Sequence, residues 1–530
     1  MHFYGSLLTL SFFIAYANVQ CQVQRDAKLT NESLYRPAFH FTPKQGWMND
    51  PNGMVYLNGQ YHLFFQHYPD STVWGPMHWG HATSIDLVQW KEQPIALYPD
   101  SIGMIFSGSA VLDKNNTSGL GRGGIAPLVA IFTQHYMPGE KDGRTDFQNQ
   151  SIAYSLDEGK TWTKYAGNPV LKTPNLKDFR DPKVIWHEPT QKWIMNLAVA
   201  DHVEFYSSPN LINWTKESEI GKNLFAHGGV WECPDLLPIN KNGKTIWVLL
   251  VSMNPGGPNG GSATQYIVGD FDGHEFKPYT TDIKWMDYGP DNYAGVTFSN
   301  VGDRNILIGW MSNWNYANVV PTEKWRSAMT VPRELRLLEQ QEFIKYYTSY
   351  ESTANSYKDS KFVEDGFYLV SSPVKELNTA FTKTMSKENF VTEKIFSLST
   401  EKNPIPNRID LTTNAKLEND FEIILSNTFD EKLIIGYDAV KRQYFIDRTK
   451  AGIANFNEGF AAVAVARRLT NPYMDMNLSI LLDKTSIELF ADDGLTVMTA
   501  LFFPTHPYTK CILQSKAGLP LKSLDLFSYK

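Results

Sequence analysis

The 530-residue sequence predicts an all-β protein, a five-bladed β-propeller followed by a C-terminal β-sandwich. Three observations predict it. Short apolar or alternating runs, broken by Gly, Pro, Asn and Asp, fill nearly the whole chain. A turn ending in an aromatic residue recurs: "SIDLVQW" closes at Trp90, "SLDEGKTW" at Trp162, "SSPNLINW" at Trp214 and "GDFDGHEF" at Phe276. In step with it recurs a polar group, often beside an aromatic, then a strand-like run, a turn and a second run. The five instances are "MNDPNGMVYLNGQYHLFF", "FSGSAVLDKNNTSG…LVAIFT", "FRDPKVIWHEPTQKWIMNLA", "WECPDLLPINKNGKTIWVLLVS" and "DNYAGVTFSNVGDRNILIGW". The unit is about 60 residues, longer than the ~40–50 of common blades, so extended loops are required.

Taken in chain order, the elements begin with residues 6–16, "SLLTLSFFIAY", an apolar run too short to span a bilayer and followed by the small residues of "AYA". It reads as a secretory signal peptide within residues 1–21, cleaved near Ala17 or just after Cys21, although no Lys or Arg precedes it. The propeller is expected over 36–337, a linker over 338–354 and the sandwich over 355–530. "EQQEFIKYYTSYE" (339–351) is a weak helix candidate near the junction. Beyond it, "FEIILSN", "KLIIGYD", "YFIDR", "SIELFAD" and "VMTALFF" read as sandwich strands.

Composition narrows the function. A net charge of −7 without a long basic run argues against nucleic acid or an anionic membrane surface as partner. No later stretch is long and apolar enough to cross a membrane, so an exported, extracellular protein is expected. Six Asn-x-Ser/Thr sequons, at Asn31, Asn115, Asn116, Asn149, Asn213 and Asn477, fit a secreted glycoprotein. Three Cys residues exclude a disulfide scaffold, and none is spaced as a zinc ligand. Aromatic residues at 13% suit either a β-rich core or a sugar-stacking surface.

"WMNDPNG" (47–53) is almost pure turn chemistry, and alone it reads as a hairpin with a capping Asp. The repeat changes that reading. The first strand of each blade lines the propeller axis, so a polar residue at its start faces an axial pocket. Asp50, Asp181 and Glu232 hold this place in three units, and Phe106-Ser107 and Asn292-Tyr293 in the other two. Carboxylates brought together in one aromatic-walled cavity are costly, which points to function. Two carboxylates flanking a sugar bond are the minimal equipment for glycoside hydrolysis, one ionised and one carrying a proton. Asp50 lies among amides that keep it charged, whereas Glu232 sits between Trp231 and Cys233, a less polar setting. Arg180 is a candidate for holding Asp181 ionised or for gripping a sugar hydroxyl.

"WMNDPNG", "FSGS", "FRDPKV" and "WECPDL", in this order and at these separations, closely resemble glycoside hydrolase family 32, the invertases, inulinases and levanases. The resemblance covers nearly the whole chain. It implies Asp50 as nucleophile, Asp181 as transition-state stabiliser and Glu232 as acid/base. It also implies a fructose subsite lined by Trp47, Met48, Asn49, Gln66, Trp74, Phe106, Ser107, Arg180 and Trp314, and it implies no cofactor and no metal. The expected activity is that of a retaining β-fructofuranosidase on terminal fructose of sucrose, inulin or levan. A fructosyltransferase is the near rival and a non-catalytic carbohydrate-binding protein the distant one, which the intact acid set disfavours. Oligomeric state is not legible. His78 and His81 in "HWGH" read as ordinary hydrogen-bonding residues, Cys233 as packing against Glu232, and the Gly-rich 253–266 as a flexible loop at the pocket rim.

Overall fold

The computed structural model describes residues 30–339, 366–399, 405–413, 420–470 and 474–530. The expected signal peptide lies outside them. So does the helix candidate beyond Glu339, which itself ends the strand Arg333–Glu339. Among the described residues the α-helices are two short ones, Asn31–Tyr35 and Met137–Lys141.

Five antiparallel sheets follow one another from Gly46. Sheet I opens with the strand Gly46–Leu57, sheet II with Met104–Leu112, sheet III with Phe179–His187, sheet IV with Val230–Lys241 and sheet V with Tyr293–Thr297. Each pairs with the strand that follows it, as the five recurring sequence units predict. The aromatic-ending turns fall between the third and fourth strands of sheets I to IV.

Packing explains why the sheets arrange as a propeller. The first strands touch in a closed cycle, I to II, III, IV, V and back to I. Each neighbouring pair of sheets encloses its own apolar core. Val55, Phe64 and Trp79 meet Ile105, Ala110 and Phe132 between I and II. Ile131 and Ile152 meet Val184 and Met195 between II and III, Ile194 and Phe205 meet Trp231 and Leu249 between III and IV, and Leu250 meets Leu307 between IV and V. The ring closes covalently distant ends: Gly46 N donates to Lys324 O at 2.9 Å and Tyr56 N to Ser299 O at 3.0 Å, and Trp325–Arg326 pairs in parallel with Gly46 and Trp47.

Two six-stranded sheets make the sandwich around a core that includes Ile423, Leu433, Ile480 and Leu489. The five quoted sandwich runs all fall on its strands. The boundary differs from the expectation. Phe367–Pro373 pairs with Arg333–Glu339 as the outer strand of sheet V, and the sandwich's own strands begin at Phe381. Between Met311 and Arg333 the chain adds only two short pairings, Trp325–Arg326 to sheet I and Ala328–Met329 to sheet V, so sheet V takes its last full strand from beyond residue 366.

Candidate active site

The site is built from one local irregularity repeated five times. In every first strand the pairing register slips at the same step: after Met48, after Ile105, at Asp181, after Glu232 and after Tyr293. Such a bulge turns side chains out of the ladder and re-aims them. The residues at the slip are Asp50, Ser107, Asp181, Cys233 and Ala294, each followed by Pro or Gly. Asp181, Cys233 and Ala294 have φ of +63°, +45° and +52°, a left-handed backbone that is strained in non-glycine residues and tends to persist at functional sites.

These residues meet. Ser107 Oγ donates to Asp50 Oδ2 at 2.7 Å, and the Cys233 thiol lies 3.5 Å from the same oxygen. Cys233 N donates to Asp181 Oδ2 at 3.1 Å, with its Sγ 3.7 Å away. The residues one position earlier, Asn49, Phe106, Arg180, Glu232 and Tyr293, form a second tier. There Arg180 Nη2 donates to Glu232 Oε1 at 3.0 Å and the Tyr293 hydroxyl donates to Glu232 Oε2. Glu232 is therefore one residue out of step with the two aspartates, whereas the sequence reading gave all three one place. The three acids nonetheless lie close enough that the charge of Glu232 raises the pKa of both aspartates, and Cys233 stands against both.

The environment expected for Glu232 is corrected. Glu232 was expected in an apolar setting, but strand alternation sends Trp231 into the core between sheets III and IV, and Glu232 faces a guanidinium and a phenol. Arg180, a candidate for holding Asp181 ionised or for gripping a sugar hydroxyl, lies 3.9 Å from the Asp181 carboxylate and favours its charged form, and it also pairs with Glu232 and, at 2.6 Å, with Asp178. Cys233 touches the two aspartates, not Glu232 alone.

The electrostatics follow from burial of like charges. Burial pushes the Asp50 carboxyl above its ordinary range and the charge of Glu232 adds to this, against hydrogen bonds from Ser107, Asn49 and Cys233. Burial raises Asp181 to about 7, with Arg180 opposing and Glu232 and Asp50 reinforcing. Burial and the three acids keep Cys233 a thiol, and burial with the charges of Glu232 and Asp50 keeps Tyr293 a protonated phenol. Both therefore act as donors, and a thiolate nucleophile is disfavoured.

The remaining expected residues surround this cage. Asn49 Nδ2 donates to Asp50 Oδ1 at 3.0 Å, and Trp47 Nε1 donates to Asn49 Oδ1 at 2.7 Å. Trp47 stacks on half-buried Trp314, centroids 6.0 Å apart. Gln66 stands opposite the bulge, between the partners of Met48 and Pro51, and its buried amide nitrogen has no hydrogen-bond partner. Half-buried Trp74 meets Phe106 edge-on, and Phe106 stacks on His135 at 4.4 Å. Met48 is fully buried beside these aromatics. His78 bonds the Pro76 carbonyl and His81 bonds His62. The Gly-rich segment is a hairpin loop whose Ser262 Oγ accepts from Trp314 N at 3.0 Å. Sequence reasoning missed Asp178 and His135. The "KDF" before Arg180 offered a carboxylate two residues away, but no sequence signal marked His135.

The chain resembles known proteins over nearly its whole length. The chain is 43% identical over 510 residues to a levanase of Bacillus subtilis, covering 94% of this chain and 70% of that one. The crystal structure of an exo-inulinase from Aspergillus awamori superposes with a TM-score of 0.81 at 37% identity, covering 95% of this chain and 99% of the other. A β-fructofuranosidase from Schwanniomyces occidentalis, complexed with fructosyl-erythritol, gives 0.82 at 31% identity over 95% of this chain and 99% of its own. Residues 40–347 match the glycosyl hydrolases family 32 N-terminal domain and residues 376–528 the family 32 C-terminal domain, so the chain belongs to glycosyl hydrolase family 32 and is a glycoside hydrolase.

Proposed function

We propose that the protein is an exported, retaining β-fructofuranosidase that removes terminal β-D-fructose from sucrose and fructans. The observation that carries this reading is the acid cage: Asp50, Asp181 and Glu232 at one end of the sheet cycle, each held by its own donors. Asp50 has the half-buried carboxylate and fixed orientation a nucleophile needs to attack the anomeric carbon. Glu232, gripped by Arg180 and Tyr293, hands a proton to the bridging oxygen and later takes one from water. Asp181, fixed by the Cys233 amide, accepts hydrogen bonds from fructose hydroxyls. Trp47 and Trp314 supply the apolar wall on which the ring rests, and the spare Gln66 donor serves a sugar oxygen. The relatives named levanase and exo-inulinase support fructans as substrates. The leader-like run at 6–16 and the exposed sequon residues Asn115, Asn116 and Asn213 support export.

Initial rates on sucrose, inulin and levan, with chromatography of products, test the reading. Free fructose as the sole early product is expected from at least one fructan. Oligomers released from the chain interior would overturn exo action. Replacing Glu232 with Gln should abolish hydrolysis of sucrose yet spare the first step on an activated fructoside whose leaving group needs no proton, seen as a burst of released leaving group. Absence of that burst would remove Glu232 from the role of acid. NMR should show the first-formed fructose as the β anomer, and the α anomer would demote Asp50 from nucleophile to base.

A further inference from the structure

We propose that His202, Glu204 and Glu219 form a binding site for a divalent transition-metal ion of zinc's class on the outer hairpin of sheet III. The hairpin pairs His202–Ser208 with Thr215–Ile220, two strands out from the one carrying Asp181. His202 and Glu204 are two residues apart on one strand and so share a face, and Glu219 stands directly across from Glu204. Two carboxylates directly opposed across strands repel, and a cation between them removes that cost.

His202 is the observation that points to a ligand. It is 6% exposed, and neither ring nitrogen has a hydrogen-bond partner. Its Nε2 is aimed at the carboxylate pair, 3.6 Å from Glu204 Oε1 and 3.9 Å from Glu219 Oε2. Ligand atoms around a tetrahedral zinc ion stand about 3.4 Å apart; the three atoms here lie within 4.8 Å of one another, so closing around one ion takes a modest inward movement of the carboxylates. One imidazole and two carboxylates are a donor set suited to such an ion. Outer partners already orient the carboxylates: the Tyr206 hydroxyl donates to Glu204 Oε2 and Lys222 to Glu219 Oε1. The Lys216 ammonium bonds the two oxygens nearest His202, Glu204 Oε1 and, at 2.8 Å, Glu219 Oε2. It is a surrogate cation on a half-exposed stem that can swing out. It satisfies the carboxylates and leaves the imidazole unserved, which a metal would not.

Zinc chloride titrated into the full chain by calorimetry tests this. One ion per chain is expected at this site. His202→Ala and, as a less buried variant, Glu219→Gln should each weaken its binding by roughly 10-fold or more. Lys216→Met should tighten it at least severalfold, because the competing ammonium is gone. A plain ion-pair network predicts the reverse pattern: no zinc response in any variant and a lowered melting temperature in Lys216→Met. Absence of binding in the native chain, equal binding in Glu219→Gln, or unchanged or weaker binding in Lys216→Met would each overturn the proposal. Melting curves establish which variants are folded, and Glu219→Gln and Lys216→Met carry the test if His202→Ala is not.

Discussion

Three neighbouring carboxylates repel each other, and the site holds them with donors rather than counter-charges alone. That makes the pH behaviour derivable from single residues. Asp50 must be ionised to attack, and burial with the Glu232 charge lifts its carboxyl above the ordinary range. The acid limb of the rate profile should therefore lie above that of an exposed aspartate. Ser107→Ala removes a hydrogen bond that holds Asp50 down, so this limb should move further toward neutral pH, with a loss in kcat/KM of about 1.5–3 kcal/mol. An unmoved limb would separate Asp50 from the ionisation that limits the rate. Asp181 gives a second prediction. Its folded pKa is raised to about 7, so the folded state holds its proton more tightly than the unfolded chain, and stability declines as pH rises between about 4 and 7. Asp181→Asn should abolish activity while stabilising the fold at pH 7 by on the order of 1–3 kcal/mol. Denaturant melts of both proteins at pH 5 and 7 check it: the gain should shrink at pH 5.

At the scale of the element, the bulge is the device that makes a strand into a site. The sequence disclosed the five strand pairs, because each unit carries the period-two pattern and turn residues that local chemistry requires. It did not disclose which of two adjacent residues points inward. In "NDP" and "RDP" the aspartate stands directly before Pro, whereas in "ECP" Glu232 stands one place earlier, and the slip in pairing turns that offset into a separate tier. The signal that could have helped was the Pro or Gly following each slip. Gly108 shows its purpose. A Cβ there would lie 2.0 Å from the Ile131 carbonyl oxygen on the next strand. Gly108→Ala must push the strands apart, costing about 1–3 kcal/mol of stability, and should move Ser107 off Asp50 so that kcat falls as well. A variant with a lowered melting temperature and native kcat would show that the bulge does not position the site.

The whole molecule is held as one unit by a buried charge network between propeller and sandwich. The text of the chain hid it, since its members are scattered over more than four hundred residues. Arg333 of sheet V pairs with Asp287 at 2.9 Å and with Glu488 of the sandwich. His40, ahead of sheet I, bridges Asp483 at 2.9 Å and Glu488 at 2.8 Å. Removing one partner strands the others in the interior, so Arg333→Met should destabilise the protein by about 3–5 kcal/mol. His40 makes the same network pH-dependent. Burial alone would lower its pKa, but the hydrogen bonds and charges of Asp483 and Glu488 raise it from 6.5 to about 9. A group whose folded pKa lies above its unfolded one contributes fully below the unfolded value. That contribution then declines as pH rises and is gone above the folded value. His40 should therefore stabilise the two-domain unit by on the order of 2–3 kcal/mol at pH 6, less at pH 8 and not at all above about pH 9. Both carboxylates have depressed pKa values and stay ionised over this range, so they do not mask the effect. Melting temperature followed from pH 6 to 10 should fall along this window in the native chain. In His40→Gln, which keeps hydrogen bonds but not the charge, it should start lower and stay nearly flat. Parallel curves for the two proteins would mean that His40 does not carry the charge that locks the domains.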